Sequence, residues 1–241
     1  MSKYIATVFI AIILFSFSCT RVPITGRKQM NLMPESELMT MSLTEYNKFL
    51  SSHTILPSSD PNTILVKKVG NNIKAAVEKF MNSNKKFKNR IAGYKWDFNV
   101  VDDNKTVNAW CMPGGKVVVY TGLLPITQNE TALAVVMGHE IAHAIARHGN
   151  ERMSQGVAVQ AGGAVLSTMV GTQSSATKDL FNQSYGAVSS LGVLAYSRKH
   201  ELEADKLGLV FMALAGYDPK EAVPFWQRMA SASKGGTLAI L

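Results

Sequence analysis

The chain has 241 residues, 46% of them hydrophobic and 17% charged, with a formal net charge of +8. That is apolar material for one globular domain with a core of its own, and too little chain to demand two. Much of the positive charge lies in one run (Lys79, Lys85, Lys86, Lys88, Arg90, Lys95). No helix-turn-helix, finger or aromatic-plus-basic strand accompanies that run, which argues against a nucleic-acid partner. It reads as a solvated linker, or as a contact for an anionic membrane surface.

Lys3 gives the start of the chain a positive charge, and Tyr4 to Phe17 follows as an uncharged, mostly apolar run. The run is shorter than the about 20 apolar residues of a bilayer-crossing helix and suits the core of a signal peptide. Ser18, a small residue, stands just before Cys19. Residues 1–18 are therefore expected to be a lipoprotein-type signal, with Cys19 the lipidated first residue and membrane anchor of the mature chain. Ser16 departs from that pattern, where an aliphatic residue is usual, and an ordinary secretory signal or an uncleaved anchor are the competing readings. Cys111 is the other of the two cysteines and sits in an apolar strand pattern, where it suits a small core residue.

Thr20 to Met33 has turn residues and no period, and reads as an extended tether. A helix is expected from Glu35 to about Leu50, then a loop rich in Ser, Pro and Asp. Asp60-Pro61 is a good N-cap and first-turn pair for a second amphipathic helix through Ile64, Leu65, Val69, Ile73, Val77 and Phe80. Three strand patterns follow at 95–101, 106–112 and 116–120, the last two joined by a Pro113-Gly114-Gly115 turn. They predict a small antiparallel meander. Its segment Asn108, Ala109 and Trp110 is a candidate for holding an extended peptide by strand addition. A sheet that only supports the next helix is the other reading.

That next helix is the centre of the sequence, running from Glu130 to Gly149 (ETALAVVMGHEIAHAIARHG). Thr127 and Glu130 have capping-box spacing, and Gly149 is expected just past its end. Inside it stands His139-Glu140-Ile141-Ala142-His143, the H-E-x-x-H pattern. Residues four apart share a helix face, so both imidazoles can reach one metal ion, with Glu140 beside that face to work on a bound water. The surrounding apolar residues make two buried histidines and a carboxylate costly without such a partner.

Beyond Gly149 come many small residues (Gly156 to Gly171), then helical patterns at about 178–197, 200–215 and 220–230, the last capped by Asp218-Pro219. Catalytic zinc takes three protein ligands plus water. For the third ligand His53 lies far upstream, His148 falls on the opposite face of its helix, and His200 is possible. The better candidate is Glu201-Leu202-Glu203-Ala204-Asp205. There Glu201 and Asp205 share a face and Glu203 points away. One carboxylate can ligate while the other accepts the N–H of a ligating histidine. A solvated acidic face beside Arg198, Lys199 and Lys206 is the bland alternative.

His139-Glu140-x-x-His143 followed by Glu201-x-x-x-Asp205 resembles the gluzincin peptidases that include HtpX, the CAAX prenyl endopeptidase and the mitochondrial Oma-type protease. The likeness is closest to soluble periplasmic lipoproteins of the BepA and LoiP type. Asn108-Ala109, Pro113-Gly114-Gly115, Thr121-Gly122-Leu123-Leu124 and Ala215-Gly216-Tyr217-Asp218-Pro219 resemble family segments in the same order. The resemblance implies an α+β, mostly helical zincin-like fold, with one Zn2+ held by His139, His143 and Glu201. It also makes Glu140 the general base and Asp205 the partner of a ligating histidine. The implied organisation is a signal over 1–18, a tether and helix over 19–59 and a metallopeptidase domain over 60–241. The implied activity is zinc endopeptidase action on polypeptides in a bacterial envelope, on the periplasmic side, with outer-membrane assembly machinery a possible partner. A non-catalytic or chaperone-like envelope protein is the alternative. Relatives of the soluble type continue into a His-Pro segment after the last helix. This chain ends at Leu241 without one, which fits either a natural short form or a truncated product.

Overall fold

The computed structural model describes residues 19–161, 175–185 and 198–232. The expected signal peptide, parts of the small-residue stretch and of the helix expected over 178–197, and the tail at 233–241 lie outside the described residues. The described chain opens in a hairpin, not a tether: β1 (Cys19–Arg21) pairs antiparallel with β2 (Lys28–Met30). Ile24 and Gly26 take positive φ in the turn, and Val22 N–H donates to Arg27 C=O. The hairpin stays on the body because Val22 is wholly buried in the main core and Gln29 is buried beside it. Absence of a period had hidden this, since strands of three residues are too short to show one.

Helix α1 (Glu35–Ser52) and helix α2 (Pro61–Ser83) follow as expected, the second capped by the Asp60 carboxylate, which accepts from Asn62 N–H. Three strands come next: β3 (Asp97–Val101), β4 (Ala109–Met112) and β5 (Lys116–Tyr120). Their order is β3-β5-β4, with β5 parallel to β3 and antiparallel to β4. The sheet is thus mixed, a correction to the expected meander. The hairpin at Gly114-Gly115 is as predicted. The link between β3 and β4 is held aside by Asp103, whose carboxylate accepts from Lys105 N–H and Thr106 Oγ1–H. That detour leaves the central place for β5. Val117 and Val119 then face the main core while Val118 and Tyr120 face the cluster under α1. A strand covered on both faces reads as an unbroken apolar run, as KVVVY does.

A short turn α3 (Leu124–Thr127) leads to α4 (Glu130–Ala146), then α5 (His148–Ala161), α6 (Ser175–Tyr185), α7 (Arg198–Leu214) and α8 (Ala222–Ala232). The cap of α4 is Asn129, whose side chain accepts from Ala132 N–H at 2.8 Å, and not Thr127, which is spent inside α3 on Leu124 C=O. At the other end Arg147 takes the left-handed conformation (φ 60°) and α5 starts at once, so Gly149 lies inside α5. Gly149 is needed there for another reason: a Cβ on it would stand 2.1 Å from the Tyr185 ring. Among the described residues no helix is long and apolar enough to cross a membrane.

The basic run is not wholly a solvated linker. Arg90 is buried, and its guanidinium donates to Ile145 C=O (2.8 Å), Ala146 C=O (2.9 Å) and Gln29 Oε1, closing the C-terminal end of α4. Cys111 is buried as expected, and burial pushes its thiol well above the usual range.

Candidate metal centre

Helix α4 is buried along nearly its whole length, so its polar residues must be answered from neighbouring elements. The neighbour that answers is α7. The two helices touch backbone to backbone at Gly138 and Gly208: a Cβ on Gly208 would stand 2.8 Å from His139 N, and one on Gly138 would stand 2.9 Å from Gly208 C=O. That approach brings the acidic first turns of α7 against the histidine face of α4.

His139, His143 and Glu201 each present a ligand atom, all within 4.8 Å of one another. His139 Nε2 lies 3.0 Å from His143 Nε2 and 3.4 Å from a Glu201 oxygen; the other Glu201 oxygen is 3.6 Å from His143 Nε2. Zinc–nitrogen bonds of about 2.0–2.1 Å at tetrahedral angles put ligand atoms about 3.3 Å apart, so the spacing fits such an ion. His139 Nδ1 lies 2.7 Å from Asp205 Oδ1. A carboxylate only accepts, so Nδ1 carries the proton and Nε2 turns a lone pair toward the other two donors. Three electron-rich atoms facing one another call for a cation.

The electrostatics carry the same message. Burial alone would lower the His139 imidazolium, yet hydrogen bonds to Asp205 and Glu201 overcome it and lift the group to about 10. Burial, and then the positive neighbour His139, hold His143 well below its ordinary value. The carboxylates around His139 thus favour positive charge at that end of the pocket. Desolvation pushes Glu140 up to about 8; His139 opposes this, and the Glu201 and Asp205 charges add to it. Trp226 of α8 packs edge-on to His139 with ring centroids 5.6 Å apart, forming a wall that sequence periodicity gave no reason to place there.

Two residues set aside from spacing alone belong to the surroundings of the site. His148 Nδ1 lies 2.9 Å from His143 Nδ1, because the left-handed Arg147 turns the chain so that α5 folds back beside α4. Glu203 does point away from the candidate ligands, but into a buried cluster: His148 Nε2 lies 3.0 Å from its Oε2, and Thr25 Oγ1–H and Arg27 Nε–H donate to it. Arg27 also grips both oxygens of Glu151, at 2.8 and 2.7 Å, and His200 Nε2 lies 3.0 Å from Glu151 Oε2. Despite burial, these partners hold the Glu151 and Glu203 carboxyls down at about 2. Burial keeps His148 low, at about 4, so the ring is neutral. His200 is thus a member of this cluster and not a third ligand. His53 is exposed and stacks on Phe49.

The strand residues fall differently. Asn108 and Ala109 are buried beside α4, and Trp110 turns to the other face of the sheet, packing edge-on to Tyr46 and Phe49. The Trp110 side chain is therefore not part of the metal pocket. β4 is an edge strand, and its outer side has no strand partner among the described residues.

Residues 68–235 match the pattern of peptidase family M48. The chain belongs to peptidase family M48. It is 33% identical over 214 residues to the mitochondrial metalloendopeptidase OMA1 of Schizosaccharomyces pombe, covering 88% of this chain and 57% of that protein. It is 29% identical over 236 residues to the Saccharomyces cerevisiae protein of the same name, covering 96% and 65%. A bacterial relative, the beta-barrel assembly-enhancing protease of Yersinia pestis, is 31% identical over 138 residues, covering 55% and 28%. This chain thus spans less than two-thirds of the length of each of these relatives. The M48 domain agrees with the resemblance to Oma-type and related gluzincin peptidases, and with the α+β, mostly helical class.

Proposed function

We propose that this M48 chain is a zinc-dependent endopeptidase, with His139, His143 and Glu201 as ligands, Glu140 as general base and Asp205 as partner of His139. The observation that carries the reading is the convergence of three ligand atoms within 4.8 Å in a buried pocket, beside a half-buried glutamate. His139, His143 and Glu201 would hold the zinc ion, which would supply an acidified water and polarisation of the scissile carbonyl. Glu140, beside those ligands on the same helix, would accept the attacking water's proton and return it to the leaving amine. Asp205 and Glu201 orient the pocket, and Trp226 shields one side of His139 from water. Replacing Glu140 by Gln should leave zinc bound and lower peptide cleavage by at least about 100-fold. Cleavage at the parent rate in a zinc-loaded E140Q protein would sink the mechanism.

The finer reading is a bacterial envelope enzyme acting on misfolded or misassembled envelope proteins, tethered on the periplasmic side by lipid at Cys19, with outer-membrane assembly machinery as partner. The bacterial relative named for β-barrel assembly supports it, as does the apolar run before Cys19; the mitochondrial relatives leave the compartment to experiment. Detergent phase partition checks the anchor: the parent should enter the detergent phase, and Cys19→Ser should leave it. A Cys19→Ser protein that partitions like the parent removes the lipid.

A further inference from the structure

Asp205 explains how His139 is held, and His143 is met on its Nδ1 side in another way. Its Nδ1 meets another imidazole, His148, at 2.9 Å. Two neutral ring nitrogens at that distance must be one donor and one acceptor. The far side of His148 settles which. Its Nε2 faces Glu203 Oε2 at 3.0 Å, and Glu203 is held by Thr25 Oγ1–H and by the Arg27 guanidinium, so that carboxylate is an acceptor. His148 therefore carries its proton on Nε2 and offers a lone pair at Nδ1. His143 must then carry its own proton on Nδ1, and its Nε2 lone pair turns toward His139 and Glu201.

We propose that the relay Arg27–Glu203–His148 is the positioning device for His143, and that the N-terminal hairpin is thereby a working part of the metal centre. This rests on the reading of His139, His143 and Glu201 as metal ligands. His148 and Glu203 touch no reacting atom; they act through His143. Burial adds to the argument. His148 is wholly buried, with His200 stacked on it at 4.4 Å between centroids, so the ring cannot turn to present the other nitrogen without breaking a buried pair. Helix α7 then serves both imidazoles, through Asp205 for His139 and through Glu203 and His148 for His143.

The test uses the full chain and two readouts besides turnover. In the zinc-loaded parent, 15N-resolved histidine spectra should place the proton of His143 on Nδ1 and the metal on Nε2, with a scalar coupling across the N–H···N bond to His148. Zinc affinity, by competition with a chromophoric chelator, should fall about 10- to 100-fold in His148→Phe, which keeps ring packing and loses the acceptor. His148→Asn, whose amide oxygen falls near the Nδ1 position, should recover much of that loss. A proton on His143 Nε2, or a folded His148→Phe protein that binds zinc as tightly as the parent, overturns the relay. A parent that binds no zinc instead removes the peptidase reading. The position of the His143 proton then still decides the relay, so the two failures are distinguishable, and the spectra of the parent stand even where a variant does not fold.

Discussion

Replacing Gly208 by Ala tests the claim that a backbone contact sets the metal geometry. The new methyl would stand 2.8 Å from His139 N, 2.9 Å from Gly138 C and 3.0 Å from His139 Cα, all backbone atoms that no rotamer can move. Ordinary contact begins at 3.4 Å, so α7 must back away from α4 by about 0.6 Å. That displacement stretches the 2.7 Å contact of Asp205 with His139 to about 3.3 Å, outside good hydrogen-bond range, and draws Glu201 off the ligand set. Overpacking of this kind costs about 1–3 kcal/mol, while alanine in a helix interior returns about 1 kcal/mol. The net loss of fold stability is therefore small, about 0–2 kcal/mol, whereas a metal site tolerates only about 0.5 Å of misplacement. The expected signature is a protein that unfolds in urea close to the parent's midpoint but binds zinc about 10- to 100-fold more weakly. Leu202→Ala, at an exposed position of the same helix, is the control and should change neither. Parent-like zinc affinity in a folded Gly208→Ala protein would show that the helix contact does not set the site.

Three further outcomes follow from the same geometry. Glu201→Ala should strip the site of zinc, while Asp205→Ala should leave zinc bound about 10- to 100-fold more weakly, as metal analysis and chelator competition would show; equal effects would undo the division of roles. Arg27→Met should lower stability at pH 7 by roughly 3 kcal/mol, since it leaves Glu151 and Glu203 buried without their cation. The pH dependence has a definite sign. Glu151 is depressed from 4.5 to about 2, so its stabilisation is present above pH 4.5 and is lost as pH falls toward 2. Without Arg27 the folded-state pKa rises, and circular dichroism should show acid unfolding shifted to higher pH; an unchanged midpoint would mean that the ion cluster does not hold the hairpin.

What could be read from sequence was whatever is written in short-range spacing. Helices announce themselves by apolar period, and His139 and His143, or Glu201 and Asp205, lie four apart on one helix face, which is a local statement about α4 or α7 alone. Central placement of β5 is not local: it depends on Asp103 pinning a detour. The cap at Asn129 is not legible in sequence because the competing Thr127 pattern is equally good until α3 claims that residue. A helical wheel of α4 extended past Ala146 puts His148 on the far face, and a single left-handed residue, Arg147, invalidates the wheel. A β-branched or apolar residue would seldom sit there; nothing in an arginine announces positive φ.

Glu203 shows why periodicity can be right and still mislead. Two residues beyond Glu201 on a helix is about 200° around, so Glu203 faces away from the proposed zinc ligands, as spacing says. The inference that it is therefore solvated does not follow, because α7 lies between two polar regions. One side closes the pocket with α4; the other meets α5 and the β1–β2 hairpin, where Arg27 spans Glu203 and Glu151. The carboxylates are half-buried on the pocket side and buried behind it, and each has its answering donors: imidazoles at the pocket, and Arg27, Thr25 and His148 behind it. The residues answering from the hairpin precede position 68, where the family match begins, and carry no period. The stretch with the least regular sequence thus supplies the cation on which two buried carboxylates depend.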